Sequence, residues 1–138
     1  MSWKPLYVLV ACEESQAECS AFRALGHIAF SCDIKPCRRG ANPDWHIVGD
    51  CSPLLQSRHV FYTQSGILQR VPGWNLIIAH PPCTYLTKVG SVWLYDNPDF
   101  VQIRHGVSSY INSKRYVQMV QAREFFMECL CAAAPYLA

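Results

Sequence analysis

The run Leu6-Tyr7-Val8-Leu9-Val10-Ala11 is apolar without a break, and polar residues follow it at once. A run this short, with no alternation, predicts a strand buried on both faces, as in a parallel sheet. Parallel pairing requires a crossover, and the next residues supply one. Ser15-Gln16-Ala17-Glu18 fits a capping box, with a hydroxyl at the helix start and a carboxylate three residues on. Ala21, Phe22 and Leu25 give that helix an apolar face, and Gly26 suits the C′ position that ends it. Ile28-Ala29-Phe30-Ser31-Cys32 is a second strand, closed by Asp33. Strand, helix, strand in this order implies a right-handed crossover.

The alternation continues. His46-Ile47-Val48 is a weaker third strand, followed by Gly49-Asp50. One or two short helices are expected between Ser52 and about Arg70. Asn75-Leu76-Ile77-Ile78-Ala79 is a fourth strand. It ends at His80-Pro81-Pro82-Cys83, because two prolines cannot continue a central strand. From Thr84 to about Asn112 the chain is aromatic and polar, which predicts a long, partly ordered loop of the kind that usually carries function. Ser113 to about Ala133 is a helix, with Met119, Ala122, Phe126, Cys129, Leu130 and Ala133 at helical spacing. Pro135 to Ala138 begins a fifth strand, so the sheet is expected to be incomplete at its carboxyl-terminal end. The expected fold is α/β, a doubly wound and mostly parallel sheet forming one domain over residues 1–138.

Composition excludes several classes. With 138 residues, 51% of them apolar, the chain has enough material for one core and not for two. A net charge of +2 excludes a purely electrostatic nucleic-acid binder, so any DNA contact is local. No run approaches the roughly 18 apolar residues of a membrane span. The eight cysteines include no Cys-x-x-Cys pair and mostly sit in apolar runs, which favours packed free thiols and a cytoplasmic setting. Leu9-Val10-Ala11-Cys12 resembles a lipoprotein cleavage site, but the apolar stretch before it is too short for a signal core. Cys32 and Cys37 with His27 or His46 match no standard zinc spacing, and packed thiols remain the better reading.

In doubly wound sheets, ligands bind beyond the carboxyl ends of the strands. That rule selects Cys12-Glu13-Glu14-Ser15, Asp33-Ile34-Lys35, Gly49-Asp50-Cys51 and His80-Pro81-Pro82-Cys83. The first of these turns has no glycine and two carboxylates, so it disfavours phosphate. A cationic ligand such as S-adenosylmethionine, with a sulfonium and an ammonium, fits better. Asp33 stands where a ribose-binding acid is found in these folds, and Asp50 can accept from an adenine amino group. The cofactor candidates are Cys12, Glu13, Glu14, Ser15, Asp33, Ile34, Asp50, Cys51 and Pro81. Singly, each acid is better explained by solvation or capping than by ligand binding; their shared edge gives them weight. Pro81-Pro82 stiffens the exit from the fourth strand and presents Cys83 as a thiol nucleophile; the plainer alternative is a buried thiol at a tight turn.

These segments together resemble the DNA cytosine C5-methyltransferases, especially the short forms of phages and prophages. Cys12-Glu13-Glu14-Ser15, Asp33 and Gly49-Asp50 follow that family's cofactor-site order. Leu76-Ile77-Ile78-Ala79-His80-Pro81-Pro82-Cys83-Thr84-Tyr85-Leu86 is similar to its Pro-Cys nucleophile motif. The resemblance implies a Rossmann-like methyltransferase fold and S-adenosylmethionine as cofactor. It also implies attack by Cys83 on C6 of a cytosine flipped from duplex DNA, with Pro82 shaping the turn. Two departures stand out. The family's glycine-rich first loop is replaced by a glycine-free one. The family's catalytic Glu on the fifth strand lies past Ala138, so this chain by itself is expected to be weak or inactive.

Tyr85, Lys88, Trp93, Arg104, Lys114 and Arg115 interleave basic and aromatic residues in and beside the long loop, a pattern suited to DNA or an extruded base. Lys35, Arg38 and Arg39 form a second basic cluster, near DNA or near the cofactor. Two other functions fit the residues. One is a non-catalytic methyltransferase-like binding module, a phage decoy or subunit completed by a partner chain. The other is a small nucleotide-processing enzyme using Cys83. An exposed edge strand would favour a homo-oligomer or a covering partner chain.

Overall fold

The computed structural model describes residues 2–87 and 112–138. The chain forms two compact units, one of residues 1–81 with 128–138 and one of residues 82–127. In chain order the first unit holds β1 (Tyr7–Ala11), α1 (Ala17–Ala24), β2 (Ile28–Asp33), a 3-10 turn (Pro43–Trp45) and β3 (His46–Val48). It continues with α2 (Ser52–Gln56), β4 (Val60–Tyr62), β5 (Leu68–Arg70) and β6 (Leu76–Ala79). A long helix, α3 (Ser113–Leu130), belongs mostly to the second unit and is followed by β7 (Tyr136–Leu137).

Five strands make one sheet in the order β3-β2-β1-β6-β7, and every pairing in it is parallel. The fold is therefore α/β with a parallel, Rossmann-like sheet, and β7 is its fifth strand. The central strand earns that place by composition. Val8, Leu9, Val10 and Ala11 are all fully buried. Val8 and Val10 pack with Cys19 of α1 and Ala29 of β2, against Leu6, Phe22, Trp45, Leu76 and Ile78. Alternation sends Leu9 to the opposite face. Gly26 ends the first crossover as expected, at φ 86 with its N–H on the Arg23 carbonyl.

Two expectations shift. The segment from Ser52 to Arg70 holds one short helix, as expected, together with strands that were not expected. The rest is the antiparallel β4–β5 hairpin, turned by Gly66 at φ 87. Val60-Phe61-Tyr62 and Leu68-Gln69-Arg70 flank that glycine, a hairpin signal that outweighs helical spacing. The hairpin is held by Phe61, whose ring meets Phe30 edge-on at 5.0 Å and stacks on Trp74 at 5.9 Å. In α3 the covered stripe runs Arg115, Gln118, Ala122, Phe125 and Cys129, while Phe126 and Leu130 are exposed. Phe125-Phe126-Met127 is apolar at consecutive positions, so spacing alone does not decide which ring turns inward.

Candidate ligand site at the carboxyl edge of the sheet

The strand order reverses at β1. From β1 the chain builds outward through β2 and β3, then returns to add β6 on the other side. The loops leaving β1 and β6 diverge there and open a crevice, the usual ligand position of an open parallel sheet. A concavity of about 370 Å³ occupies it. Its walls come from Cys12 to Glu18, from Asp33, Lys35 and Arg38, and from His80.

The glycine-free loop after β1 turns tightly by placing two ordinary residues in the left-handed region, Cys12 at φ 62 and Gln16 at φ 59. Such residues cost about 1–3 kcal/mol each and persist only where the surroundings fix them. The restraint on Gln16 is a double clamp. Its Nε2 donates to the Asn42 carbonyl and its Oε1 accepts from the Asn42 N–H, both at 2.8 Å. The Glu13 N–H donates to the Cys32 carbonyl at 3.1 Å, tying the loop to β2.

Glu13 is the residue whose role changes most. Its side chain is buried, and its two carboxylate oxygens accept from the Glu18 N–H at 2.7 Å and the Cys19 N–H at 3.3 Å. It thus caps α1, whose N-cap residue Gln16 makes no side-chain cap bond. The expected capping box of Ser15 and Glu18 is therefore corrected. Ser15 Oγ accepts only from Ala17 N–H at 3.3 Å, and the Glu18 carboxylate is directed elsewhere. It pairs with His80 Nε2 at 2.9 Å, bridging α1 and the end of β6.

The rim is mixed in charge, not acidic as the first loop suggested. Glu14 pairs with Arg38 at 3.5 Å, and the Arg38 N–H donates to the Glu14 carbonyl. Asp33 Oδ1 accepts from the Lys35 N–H at 2.9 Å. The basic cluster after β2 thus contributes Lys35 and Arg38 to the crevice itself. Cys12, Glu13, Glu14, Ser15 and Asp33 are brought together; Asp50 is not among them. Asp50 lines a second hollow of about 470 Å³, with Arg58, Tyr62 and the apolar residues between β3 and the hairpin, and its Oδ1 accepts from the Ser52 N–H. Ile34 is 75% exposed, and Pro81 is half-buried at the exit of β6.

Cys51 is buried, and its thiol donates to the Cys32 carbonyl at 3.5 Å. It hydrogen-bonds with Cys12 and Cys32, which pulls its pKa down to about 4. The same bonds to Cys51, with burial, push the Cys12 and Cys32 thiols far above the ordinary thiol range. Of the two histidines weighed for zinc, only His46 has both ring nitrogens engaged. His46 is buried between Ser31 Oγ at 2.8 Å and the Lys35 carbonyl at 2.9 Å, and His27 Nδ1 accepts from the Leu6 N–H. Among the described residues no group of three or more His, Cys, Asp or Glu is arranged to hold a metal ion.

In the second unit, Cys83 is an exposed free thiol, which sets aside the buried-turn alternative. The Arg115 guanidinium lies 4.4 Å over the Tyr85 ring and donates to the Thr84 carbonyl at 3.4 Å, so these two candidates engage each other. Lys114 is exposed. Lys88, Trp93 and Arg104 lie outside the described residues. Sequence reasoning missed the Glu18–His80 pair, which joins residues 62 apart. It also missed the bond from the Cys51 thiol to the Cys32 carbonyl, although a cysteine at or just past the end of each of β2 and β3 was a visible signal. Compared with protein-family models, curated proteins and solved structures, the chain matches none.

Proposed function

We propose that this chain is an S-adenosylmethionine-dependent DNA (cytosine-5-)-methyltransferase, or a truncated piece of one, with Cys83 attacking cytosine C6. The observation that carries the reading is one of connectivity. The crevice where the strand order reverses has β6 as one wall, and β6 runs through His80, Pro81 and Pro82 directly into an exposed thiol.

The residues of the crevice suit the cofactor. A volume of about 370 Å³ falls within the usual range for small-ligand pockets, roughly 300–1,000 Å³. Asp33 is half-buried on the rim, a carboxylate suited to ribose hydroxyls, and Glu14 and Glu18 offer charge to a sulfonium or ammonium. When bound, S-adenosylmethionine supplies an electrophilic methyl group. The protein's part is nucleophilic. The Cys83 sulfur bonds to C6 of an extruded cytosine, which makes C5 electron-rich; loss of the C5 proton later expels the thiolate and restores the ring. Tyr85, Lys114 and Arg115 supply a ring and two cations for the DNA.

The test is incubation with cofactor and duplex DNA containing 5-fluorocytosine, which cannot lose its C5 substituent and so traps the covalent adduct. The expected result is an adduct present in the native protein and absent in Cys83→Ser. An adduct that survives Cys83→Ser, or S-adenosylmethionine binding that calorimetry fails to detect, overturns the reading. A binding module without chemistry is favoured by one observation, the engagement of the rim carboxylates in the Glu14–Arg38 and Glu18–His80 contacts. Cofactor binding with no adduct would select it.

A further inference from the structure

Resting on the cofactor reading above, we propose that Arg38 and Glu14 together grip the amino-acid end of S-adenosylmethionine, Arg38 holding its carboxylate and Glu14 its ammonium. The N-terminus of the first helix is the ready anion site of such a sheet. Here it is closed. The Glu18 and Cys19 N–H groups donate to the buried Glu13 carboxylate at 2.7 and 3.3 Å. The Ala17 N–H donates to Ser15 Oγ at 3.3 Å, and the Ser20 N–H to the Gln16 carbonyl at 2.8 Å. The Glu13 charge, fixed at that point, also repels a second anion. A ligand carboxylate must therefore find its cation among the side chains of the crevice, where Lys35, Arg38 and His80 line the walls. His80 already stands 2.9 Å from the Glu18 carboxylate.

Arg38 is the cation whose place is fixed. Its N–H donates to the Glu14 carbonyl at 3.0 Å, and its carbonyl accepts from the Ala41 N–H at 2.9 Å. The Cys37 N–H just before it donates to Gln64 Oε1 at 2.9 Å. The guanidinium meets Glu14 Oε1 through Nη2 alone, at 3.5 Å, and is 67% exposed. One long contact leaves the rest of the planar fork to a ligand carboxylate, the geometry that guanidinium matches best. Lys35 is a compact charge on a flexible stem, which strengthens the positive field without setting an orientation.

The Glu14–Arg38 pair is complementary to a zwitterion. An α-amino acid carries its ammonium and carboxylate on one carbon. Laid antiparallel against the pair, its carboxylate meets the guanidinium and its ammonium meets the Glu14 carboxylate. Each of the four charges then has opposite charges for neighbours. A ligand with the ammonium but no carboxylate would instead bring an uncompensated cation up to Arg38 and Lys35. The pair thus selects for the intact amino-acid group, a task that the glycine-free first loop, with its helix start already capped, does not perform.

The test is calorimetry of the native protein and of Arg38→Gln with two ligands. One is S-adenosylmethionine. The other is its decarboxylated analogue, which keeps the sulfonium and the ammonium. The native protein should bind the analogue about tenfold more weakly, the loss expected for one charge-assisted contact at a partly exposed site. Arg38→Gln should weaken S-adenosylmethionine by a similar factor and close the gap between the ligands. A urea midpoint near that of the native protein, expected for so exposed a side chain, shows that the variant is folded. Equal affinity of the native protein for the two ligands overturns the grip and leaves the cofactor reading standing. A gap that persists in Arg38→Gln overturns the choice of Arg38. Binding of neither ligand overturns the cofactor reading, and the grip with it.

Discussion

His80 Nε2 stands 2.9 Å from a Glu18 carboxylate oxygen, and the two residues are 62 apart in the chain. The pair links the exit of β6 to α1, the two walls of the crevice at which the strand order reverses. Both side chains are nearly half exposed, at 49% and 41%, so solvent screens the pair and its worth to stability is at most about 1 kcal/mol. Glu18→Gln should therefore leave the urea midpoint almost unchanged. On the proposed cofactor site the same variant should weaken S-adenosylmethionine binding about tenfold, equivalent to about 1.4 kcal/mol. Calorimetry beside a urea titration separates the two effects.

Glu13 predicts the opposite pattern. Its buried carboxylate satisfies two backbone donors in the first turn of α1. Glu13→Ala should cost about 1–3 kcal/mol, because two N–H groups lose their acceptor inside the protein. Glu14→Ala should cost less than about 1 kcal/mol, because Glu14 makes only a screened pair with Arg38. Equal losses in urea unfolding for the two variants would contradict the capping role.

Cys19 gives a pH prediction. Its thiol is fully buried among Val8, Val10 and Ala29, and burial pushes its pKa up from 9.0 to about 11, with Arg23 opposing. The folded state holds this proton more tightly than the unfolded state does. The contribution is thus complete below about pH 9 and is lost as pH rises through about 11. The difference amounts to about 3 kcal/mol. Cys12, Cys32 and Cys129 share this direction, and Cys51 has the opposite one, so the informative quantity is a difference. Stability of the native protein should fall more steeply between pH 9 and 11 than that of Cys19→Ala. Parallel curves for the two proteins would remove Cys19 from the account.

Much of the fold was legible because its signals are local. Leu6 to Ala11 is apolar on both faces, and such a run suits only a doubly covered strand. Gly26 marks a helix end through its own backbone freedom. Pro81 and Pro82 stop β6 through their missing N–H groups. The β4–β5 hairpin was less legible. Its turn residue Gly66 is plain, but what holds it is Phe61 against Phe30 and Trp74, contacts between residues far apart in the chain.

The candidate site divides along the same line. By itself the sequence determined which segments lie at the carboxyl ends of the strands, because strand pattern and parallel pairing fix that edge. It also determined that Glu13, Glu14, Asp33 and Cys83 were present there or just beyond. Only the tertiary structure decided what those groups do. It sent Glu13 into the start of α1, Glu18 to His80, Glu14 to Arg38, and the Cys51 thiol to the Cys32 carbonyl. A carboxylate or thiol takes its role from the nearest donor or charge, and that neighbour is supplied by another crossover, which no local pattern encodes.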